Sequence, residues 1–423
     1  MPHCQRQQET SHGPKTMSPA SSAPTRFDVA VIGAGPAGMT AALLFARRGF
    51  ATALVAPQVN LQDARTTALL EASVRLLRSL DLWDALEPRS APLAHMRLID
   101  DTGRLIRAPE VTFDAAELGL EAFGYNILNR DLNAVLMAAV EAESGLTWLQ
   151  DTAASVRPGA DRVDLSLASG TAVAARLVVG ADGRESLVRE AAGIATRRWT
   201  YPQKALVLNL DHSRPHSTIS TEFHTPTGPF TLVPLPGCMS SLVCVVEPET
   251  ADRLAALDDA ALARELERRA HSILGAFTIA GTRQLYPLSG LVATSVASAR
   301  CALVGEAAHV FPPIGAQGLN LGLRDVADLV ETVDRARRRG EDIGGAAVLA
   351  RYEATRRSDI ASRTAAVDLL NRSLLSGFLP VQALRSVGLY LAGRIGPLRR
   401  LLMREGITPR AARLAPPVWR AAG

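Results

Sequence analysis

The sequence predicts an α/β protein with a discontinuous parallel-sheet domain, an inserted β-rich domain and a helical C-terminal region. Three stretches carry this prediction, because each reads as a buried strand, a glycine-containing corner and a helix. They are VAVIGAGPAGMTAALLF, LVVGADGRESLV and ALVGEAAHVFPPIGAQGLNLGL. Since they lie far apart in the chain, the parallel sheet must be assembled from separate segments, and the segments between them supply the second domain.

The pattern along the chain sets the predicted domain boundaries. Residues 1–25 are polar and rich in Ser, Thr, Gln and Pro, which predicts a disordered tail. The stretch RTTALLEASVRLLRSL, from Arg65, has apolar residues at helical spacing and is interpreted as a helix. The predicted divisions are 26–94, 126–198 and 286–340 for the parallel-sheet domain, 95–125 and 199–285 for the β-rich domain, and 341–423 for the helical region.

Composition excludes several classes of protein. The net charge is only +4 across 423 residues, and Lys15 and Lys204 are the two lysines. No basic stripe interleaves with aromatic residues, so a nucleic-acid partner is not expected. The four cysteines form no CxxC pair, which argues against a disulfide framework or a zinc site and suits a reducing cytosol.

The first corner, GAGPAG, has the glycine spacing of a dinucleotide-binding loop. Gly33 allows the tight turn, Gly35 lets a phosphate approach the backbone, and Gly38 lets helix and strand pack closely. The following helix directs its N-terminus at the pyrophosphate. One element of the pattern is missing, because Ala56 stands at the end of the second strand, where an acidic residue usually holds the ribose.

The second corner places Asp182 between a buried strand and a helix. Its carboxylate has two interpretations from the sequence, as a hydrogen-bond partner of a ligand hydroxyl or as an ordinary helix N-cap.

The third corner has the composition expected around a polyol and a flat ring. Glu306 at a strand end can accept hydrogen bonds from hydroxyl groups, and Gly315 and Gly318 leave room for a ring against the backbone. The helix that begins near Leu319 and Asn320 directs its positive end at a developing anion, as in a reduced flavin.

A metal site is not expected at this corner. Glu306 and His309 form an ExxH pair, but a di-iron site needs a second such pair on another helix. The other ExxH pair lies in the polar tail, so His309 is interpreted as a structural histidine.

These corners resemble those of the flavoprotein aromatic hydroxylases, typified by p-hydroxybenzoate hydroxylase. Within that family the sequence is similar to the FAD-dependent hydroxylases of ubiquinone biosynthesis. The motifs that carry the resemblance are VIGAGPAG, RTTALLEASVRLLRSLDLWDAL, GYNILNRDLNAVL, GADGRESLVREAAGI and GEAAHVFPPIGAQGLNLGLRDVADL. The resemblance implies a Rossmann-like FAD-binding domain, with the β-rich insertion as the substrate domain.

The resemblance also implies roles for particular residues. Arg65 and Arg130, which the sequence alone leaves as generic surface arginines or as partners of a pyrophosphate or flavin edge, are placed near the cofactor. Glu306 stands where the family usually has Asp. Pro313 matches the proline on the reactive face of the flavin, and with Gly315 it marks the expected catalytic position. The implied FAD contacts are Gly33, Gly35, Pro36, Ala37, Gly38, Arg65, Arg130, Asp182, Glu306, Gly315, Gly318, Leu319 and Asn320.

The reaction implied by the resemblance has two halves. NAD(P)H docks transiently, because no second nucleotide-binding domain is present, and reduces FAD by hydride transfer. The reduced flavin captures O₂ as the C4a-hydroperoxide, which hydroxylates the aromatic ring of a polyprenylated phenol in ubiquinone biosynthesis. No side-chain nucleophile is required, in agreement with the lack of a GxSxG motif.

Residues 373–404 combine leucines and aromatic residues with interspersed arginines. The pattern fits an interfacial amphipathic segment or a helical cap on the flavin domain, and the resemblance favours the first. The expected location is therefore the cytoplasm, with peripheral contact at the inner membrane face and with a quinone-biosynthesis complex as further expectations.

Two other functions stay open at this point. One is an FAD monooxygenase acting on another aromatic or lipophilic substrate. The other is a non-catalytic flavin-binding subunit of a biosynthetic complex, which the departures at Ala56 and Glu306 would suit. A halogenase is disfavoured, because the WxWxIP element is missing.

Overall fold

The structure is a computed structural model that describes residues 24–59, 61–103, 109–312 and 316–375, together with 400 and 403. The predicted tail up to residue 23, Pro313, Gly315 and most of the 373–404 segment lie outside the described residues.

The described chain contains strands and helices in alternation. The strands are β1 (Thr25–Ile32), β2 (Thr52–Val55), β3 (Thr66–Leu70), β4 (Ser90–Pro92), β5 (His95–Asp100), β6 (Val111–Asp114), β7 (Gly124–Leu128), β8 (Leu146–Leu149), β9 (Ala153–Pro158), β10 (Val163–Leu167), β11 (Ala172–Gly180), β12 (Thr196–His212), β13 (Ile219–Thr225), β14 (Gly228–Leu235), β15 (Met239–Val246), β16 (Phe277–Ala293), β17 (Ala297–Ser298), β18 (Cys301–Leu303) and β19 (His309–Val310). The helices are α1 (Pro36–Arg47), α2 (Glu71–Arg78), α3 (Trp83–Leu86), α4 (Asn129–Ala142), α5 (Leu187–Ala191), α6 (Pro248–Ala256), α7 (Asp259–Arg269), α8 (Gln317–Arg338) and α9 (Ala346–Leu375).

The first sheet has a parallel centre of strands from distant parts of the chain. Its order is β17-β18-β11-β1-β2-β8, with β10 and β9 added antiparallel beside β11. Neighbouring strands from β18 to β8 are parallel. Every residue of β2 is buried, as expected for a parallel strand covered on both faces. The α/β, Rossmann-like fold predicted from the sequence is confirmed.

Helix α1 packs against both α4 and α8 beside this sheet, and α9 packs on α8. Their apolar faces join the strands in the larger of the buried clusters, which includes Val31, Phe45 and Leu329. No helix in the described ranges combines the length and the apolar character that crossing a bilayer requires.

The second sheet is largely antiparallel and forms the β-rich part. Its order is β19-β16-β12-β15-β14-β13-β5-β6, with the single parallel pair β13–β5. Helices α6 and α7 cover one face, where Leu206, Phe230 and Leu266 are buried together. The opposite face is turned toward residues 64–66 of the first part of the chain, since Asn209 donates a hydrogen bond to the carbonyl of Ala64.

A small third sheet, β3-β7-β4, corrects one expectation. The apolar residues after Arg65 were expected to form a helix, but Thr66–Leu70 is a strand, and the helix begins only at Glu71. The reason is tertiary pairing. All five residues of β3 pair antiparallel with β7, from Thr66 opposite Leu128 to Leu70 opposite Gly124, and short apolar runs fit either structure until such a partner is known.

Two long strands run past the proposed domain boundaries. The division at 198/199 falls inside β12 and the division at 285/286 falls inside β16. These strands pair with each other from Thr196 opposite Ala293 to His212 opposite Phe277. Both proposed divisions therefore fall within continuous strands, and the division of the chain into domains stays a prediction.

Candidate active site

The three glycine-containing corners lie side by side at one edge of the first sheet. Ile32 at the end of β1 is in register with Gly180 at the end of β11, which is in register with Leu303 at the end of β18. The amide of Ala181 donates to the carbonyl of Ile32 at 2.8 Å, and that of Val304 donates to Gly180 at 3.0 Å. The carboxyl ends of parallel strands thus bring together segments that are distant in sequence.

The glycines of the first corner divide into two kinds. A Cβ on Gly33, whose φ is +107°, would lie 2.3 Å from the carbonyl oxygen of Ala181, and a Cβ on Gly38 would lie 1.9 Å from that of Gly33. These two positions allow close backbone packing. A Cβ on Gly35 would meet no described atom within 4 Å, so the N-terminus of α1 faces open space.

Two long helices present uncapped N-termini at this edge. The N-cap residues of α1 and α8 are Gly35 and Ala316, which have no side chain able to cap backbone N–H groups. A Cβ on Gly318, in the first turn of α8, would likewise meet no atom within 4 Å in the part of the chain that the structure describes. Pro36 and Ala37 open α1, and Leu319 packs partly buried against the main core. Uncapped N–H groups and the positive helix end favour bound negative charge.

Asp182 is not the N-cap of the helix that follows it. That position belongs to Ser186, whose Oγ accepts the Arg189 amide at 2.9 Å. Asp182 instead accepts the Val188 amide through Oδ2 at 3.1 Å. Its Oδ1 atom is buried and has no hydrogen-bond partner among the described residues. A buried carboxylate oxygen is costly without a donor, so this atom fits a ligand hydroxyl.

The third corner is a 3-10 turn, Gly305–Ala307, that exposes the side chain of Glu306. Gly305 has a φ of +61°, and the turn is held at its far end where Arg189 donates to the carbonyl of Ala307 at 2.9 Å. Arg189 belongs to the second corner, so the second and third corners are fixed to each other. The exposed carboxylate of Glu306 is free to meet a polyol.

The sheet edge where the three corners meet is termed the cofactor edge. Arg65 lies between this edge and the second sheet. Its guanidinium donates to both carboxylate oxygens of Asp63, with Nη2 2.7 Å from Oδ2, and lies 5.9 Å from the centre of the Tyr286 ring. The hydrogen bonds to Asp63 raise the pKa of Arg65, and the negative charge of Glu306 adds to this. Burial alone would raise the pKa of Asp63, but hydrogen bonds from Arg65 and Asn129 outweigh it and lower the pKa to about 2.

Asp63 was missed as a site residue because it does not end a strand. The structure shows it linking Arg65 to the start of α4, where Asn129 donates to Oδ2 at 3.0 Å and the Arg130 amide donates to the Asp63 carbonyl at 3.2 Å. The side chain of Arg130 is exposed at this helix end. The Asp-x-Arg pattern of residues 63–65 was visible in the sequence, but nothing local indicated that it folds into an ion pair.

The side chain of Asn320 is fully occupied by the protein. Its amide nitrogen donates to the carbonyls of Ala68 and Ala316, each at 2.7 Å, and its oxygen accepts the Leu70 amide at 2.8 Å. The same oxygen accepts the hydroxyl of Ser73. A cofactor contact predicted at Asn320 is therefore restricted to the backbone, and its side chain joins the first turn of α8 to β3 and α2.

The remaining positions discussed from the sequence are Ala56, His309, Pro313 and Gly315. Ala56 directly follows β2 and is buried, and its carbonyl accepts Trp148 Nε1 at 3.1 Å, so this strand end carries a methyl group where the sequence pattern would place an acidic side chain. His309 is buried with Nε2 2.6 Å from Asp325 Oδ2. In the described ranges, there is no group of three or more His, Cys, Asp or Glu side chains that could hold a metal ion. Pro313 and Gly315 fall outside those ranges and stay predictions.

The second sheet adds an apolar wall next to Arg65. Val207 and Val243 are directly paired on β12 and β15, share a face, and are only partly buried. On the same face, Tyr286 pairs with Ala205 and is one of the exposed large hydrophobic residues. The hydroxyl of Thr66 donates to Ser241 Oγ at 2.9 Å, which fixes this wall against the segment that carries Arg65. The arrangement suits an aromatic or aliphatic ligand beside a cationic edge.

Comparison with known proteins agrees with this geometry. Residues 26–366 match the protein family described as FAD binding domain. The chain is 38% identical over 387 residues to ubiquinone hydroxylase UbiL of Rhodospirillum rubrum, covering 90% of this chain and 89% of that protein. It is 32% identical over 391 residues to 3-demethoxyubiquinol 3-hydroxylase of Escherichia coli, covering 90% and 98%. The crystal structure of p-nitrophenol 4-monooxygenase PnpA of Pseudomonas putida superposes with a TM-score of 0.74 at 20% identity, covering 92% of this chain and all of that one, which shows the shared fold.

Proposed function

The chain belongs to the FAD binding domain family of flavoprotein monooxygenases, and from that membership we propose that it hydroxylates the aromatic ring of a polyprenylated phenol in ubiquinone biosynthesis. FAD is the cofactor, NAD(P)H the electron donor and O₂ the source of the oxygen atom. The observation that carries the proposal is the meeting of three glycine-containing corners and two uncapped helix N-termini at one sheet edge, beside an apolar sheet face.

The first part of the proposal concerns the adenosine diphosphate half of FAD. The open space at Gly35 and the N-terminus of α1 would receive the pyrophosphate. Arg65, held by Asp63, would neutralise part of its charge, with the start of α4 at Arg130 close by. The buried, unpartnered Oδ1 of Asp182 would accept a hydroxyl group of the cofactor chain.

The second part concerns the flavin half. Glu306 would accept hydrogen bonds from the ribityl chain, and the backbone at Gly318, Leu319 and Asn320 would face the ring. Bound FAD supplies hydride acceptance and oxygen activation. The uncapped N-terminus of α8 would stabilise negative charge on the ring edge, because its N–H groups and dipole are fixed in place beforehand.

The substrate proposal rests on the apolar wall. Val207, Val243 and Tyr286 offer aliphatic and aromatic surface beside Arg65, which is chemistry that a prenylated phenol can use. The names of the relatives, a ubiquinone hydroxylase and a 3-demethoxyubiquinol 3-hydroxylase, support the same substrate class. The wall would exclude water from the reacting ring, which favours oxygen transfer over loss of the oxidant.

The test uses the full-length protein. We expect a purified yellow protein with a flavin absorbance spectrum, NAD(P)H oxidation that rises when a prenylated phenol is added, and a product heavier by one oxygen atom. A colourless chain with no affinity for added FAD would contradict the proposal at its base. FAD binding without substrate-dependent NAD(P)H oxidation would favour the non-catalytic flavin subunit, and a strain lacking the gene that accumulates an under-hydroxylated prenyl phenol would identify the ring position.

We also propose peripheral contact with anionic membranes through residues 373–404, most of which lie outside the described residues. The support is the mixture of apolar residues and arginines in this segment, together with the lipophilic substrate class. The full-length protein should sediment with vesicles containing anionic lipid, and replacing Arg385, Arg394, Arg399 and Arg400 with Gln should reduce the bound fraction. Equal sedimentation of both forms, or none by either, would contradict this contact.

A further inference from the structure

One buried carboxylate, outside the proposed cofactor contacts, is bonded by three groups from two separate segments, the third corner and α9. Asp325 on α8 is fully buried. Its Oδ2 atom accepts the Gly305 amide at 3.0 Å and lies 2.6 Å from His309 Nε2. Its Oδ1 atom accepts Arg356 Nε at 2.7 Å, from α9. The carboxylate therefore ties the third corner at both of its ends to the helix whose N-terminus faces the cofactor edge.

Arg356 compensates the buried charge. It is also buried, and it reaches Asp328 Oδ2 at 2.7 Å and Asp359 Oδ2 at 2.9 Å. Arg324 lies 3.2 Å from Asp359, so acidic and basic groups alternate between α8 and α9. Burial alone would raise the pKa of Asp325, but the charges of His309 and Arg356 outweigh it and lower the pKa. Asp325 is consequently a carboxylate at neutral pH.

Stability alone is a weak reason for this arrangement. A buried ion pair gains little free energy of folding over apolar side chains of the same size, because both charges must leave water. What the carboxylate does provide is geometry. The Gly305 N–H group points into the protein in a turn with φ +61°, and apolar residues on α8 would leave it without an acceptor.

The backbones of the corner and the helix are in direct contact at the same place. A Cβ on Gly322 would lie 3.0 Å from the Cα atom of Gly305, and a Cβ on Gly305 would lie 3.5 Å from the Cβ atom of Ala37. The turn that carries Glu306 is thus wedged between α8 and the start of α1. A small displacement of this turn would move Glu306 relative to both helix N-termini.

Through His309, Asp325 also holds the chain beyond the Gly305–Ala307 turn. His309 begins β19, where Val292 of β16 is its paired residue, and its ring stacks on Phe311 with 5.3 Å between ring centres. The Nε2 atom of the ring is bonded to Asp325, while its buried Nδ1 atom has no hydrogen-bond partner among the described residues. The chain at His309 is therefore held by the same carboxylate that holds Gly305.

We propose that Asp325 is a positioning residue for the cofactor corner: with His309 and Arg356 it fixes the Gly305–Ala307 turn against the N-terminal half of α8. Glu306 and the helix N-terminus then meet one flavin in a single fixed geometry. This inference rests on the FAD site proposed above and assigns the buried network a role in it. Asp325 touches neither cofactor nor substrate in this proposal and acts through Gly305 and His309.

The test compares two buried carboxylates on one helix. Asp334, farther along α8, is also buried and pairs with Arg48 and Arg338, away from the third corner. Apoprotein of Asp325→Asn and of Asp334→Asn is titrated with FAD, and Tm and the reduction potential of the bound flavin are measured. We expect both variants to lose Tm, and Asp325→Asn alone to weaken FAD binding by about tenfold or more and to shift the potential. The inference would be overturned if Asp325→Asn kept the FAD affinity and flavin potential of the unaltered protein. It would also be overturned if Asp334→Asn lost as much FAD affinity as Asp325→Asn.

A second pair of variants keeps the inference testable if Asp325→Asn does not fold. His309→Gln can still donate to Asp325, whereas His309→Leu cannot, and both leave the Asp325–Arg356 pair in place. We expect the FAD affinity and flavin potential of His309→Gln to be near those of the unaltered protein. In His309→Leu, both the affinity and the potential should change. Identical values for the two variants would contradict the positioning role. If the unaltered protein binds no FAD, the proposed function fails; if it binds FAD and the variants bind equally well, only this inference fails.

Discussion

The hydroxyl of Ser73 on α2 donates a 2.7 Å hydrogen bond to Asn320 Oδ1 in the first turn of α8. The two residues are far apart in sequence, and the contact joins the segment after Arg65 to the helix that faces the cofactor edge. Since the rest of the Asn320 side chain bonds Ala68, Leu70 and Ala316, this residue holds the two segments together.

Replacing Asn320 should therefore destabilise the protein before it alters chemistry. Asn320→Ala leaves the partly buried Leu70 amide and Ala68 carbonyl without this partner, and we expect a loss of about 2–4 kcal/mol in the free energy of unfolding. Urea unfolding of the apoprotein measures this. Ser73→Ala, which removes one of the four bonds, is the matched control and should cost about 1 kcal/mol. A stability change in Asn320→Ala no larger than that of the control would show that the other three bonds contribute nothing.

The two kinds of glycine in the first corner should respond oppositely to substitution. Gly35 has φ −69° and ψ 171°, which any residue can adopt, and open space around it, so Gly35→Val should fold normally. It should lose FAD, because the side chain occupies the space proposed for the pyrophosphate. Gly38→Ala should instead lower Tm, since its Cβ would lie 1.9 Å from a carbonyl oxygen. Flavin content and Tm are measured for both variants. Full flavin content in Gly35→Val would contradict the proposed position of the pyrophosphate.

Glu306 should affect cofactor affinity more than stability, because its side chain is exposed. We expect Glu306→Ala to weaken FAD binding by about tenfold, through loss of charged hydrogen bonds to the ribityl chain, with the Tm of the apoprotein unchanged. Glu306→Asp should retain most of the affinity. Glu190→Ala removes another exposed carboxylate and should leave affinity as it is. Full affinity in Glu306→Ala would show that the ribityl chain is held elsewhere.

The Asp63–Arg65 pair should make stability depend on pH below the neutral range. Burial alone would raise the pKa of Asp63, but hydrogen bonds from Arg65 and Asn129 lower it to about 2 in the folded chain. Because this is below the unfolded value of about 3.9, the stabilisation is complete above about pH 5 and is lost as pH falls toward 2. Solvent screens the half-exposed Arg65, so we expect about 1 kcal/mol.

The measurement is urea unfolding of the unaltered protein and of Asp63→Asn at pH 5 and pH 3. The difference between the two proteins should shrink at the lower pH. Asp164→Asn removes the partner of Arg162 in an exposed pair and should show no such difference. A gap between the unaltered protein and Asp63→Asn that is the same at both pH values would mean that Asp63 is not held as a carboxylate by Arg65.

The apolar wall should control substrate affinity separately from cofactor affinity. Val207→Lys places a charge on the sheet face beside Val243, and we expect the KM for a prenylated phenol to rise by about tenfold or more, with FAD affinity unchanged. Val207→Ile keeps the surface apolar and serves as the control. Steady-state kinetics with a titration of FAD separates the two effects. If Val207→Lys leaves KM unaltered, the substrate lies against another surface.

The features that the sequence predicted well are local ones. The GxGxxG spacing, the strand before it and the helix after it depend on neighbouring residues, and the first corner accordingly has the predicted shape. The three corners could also be expected to meet, because parallel strands end at one edge of a sheet.

The features that were missed depend on partners far along the chain. Thr66–Leu70 has apolar residues that suit a helix, and only pairing with β7 makes it a strand. Asn320 was placed in the cofactor site by its position, yet its amide is used by β3 and α2. Asp63 and Asp325 are ordinary surface-type residues in the sequence, and their roles arise from Arg65 and from the turn at Gly305.

The length of β12 and β16 has a mechanical consequence. Both strands extend from the edge of the flavin-binding part into the second sheet, and they pair with each other along most of that length. Opening a cleft between the two parts would require bending this ribbon or breaking its hydrogen bonds. Entry and exit of a bulky hydrophobic molecule should therefore depend more on shorter connecting segments than on separation of the two parts.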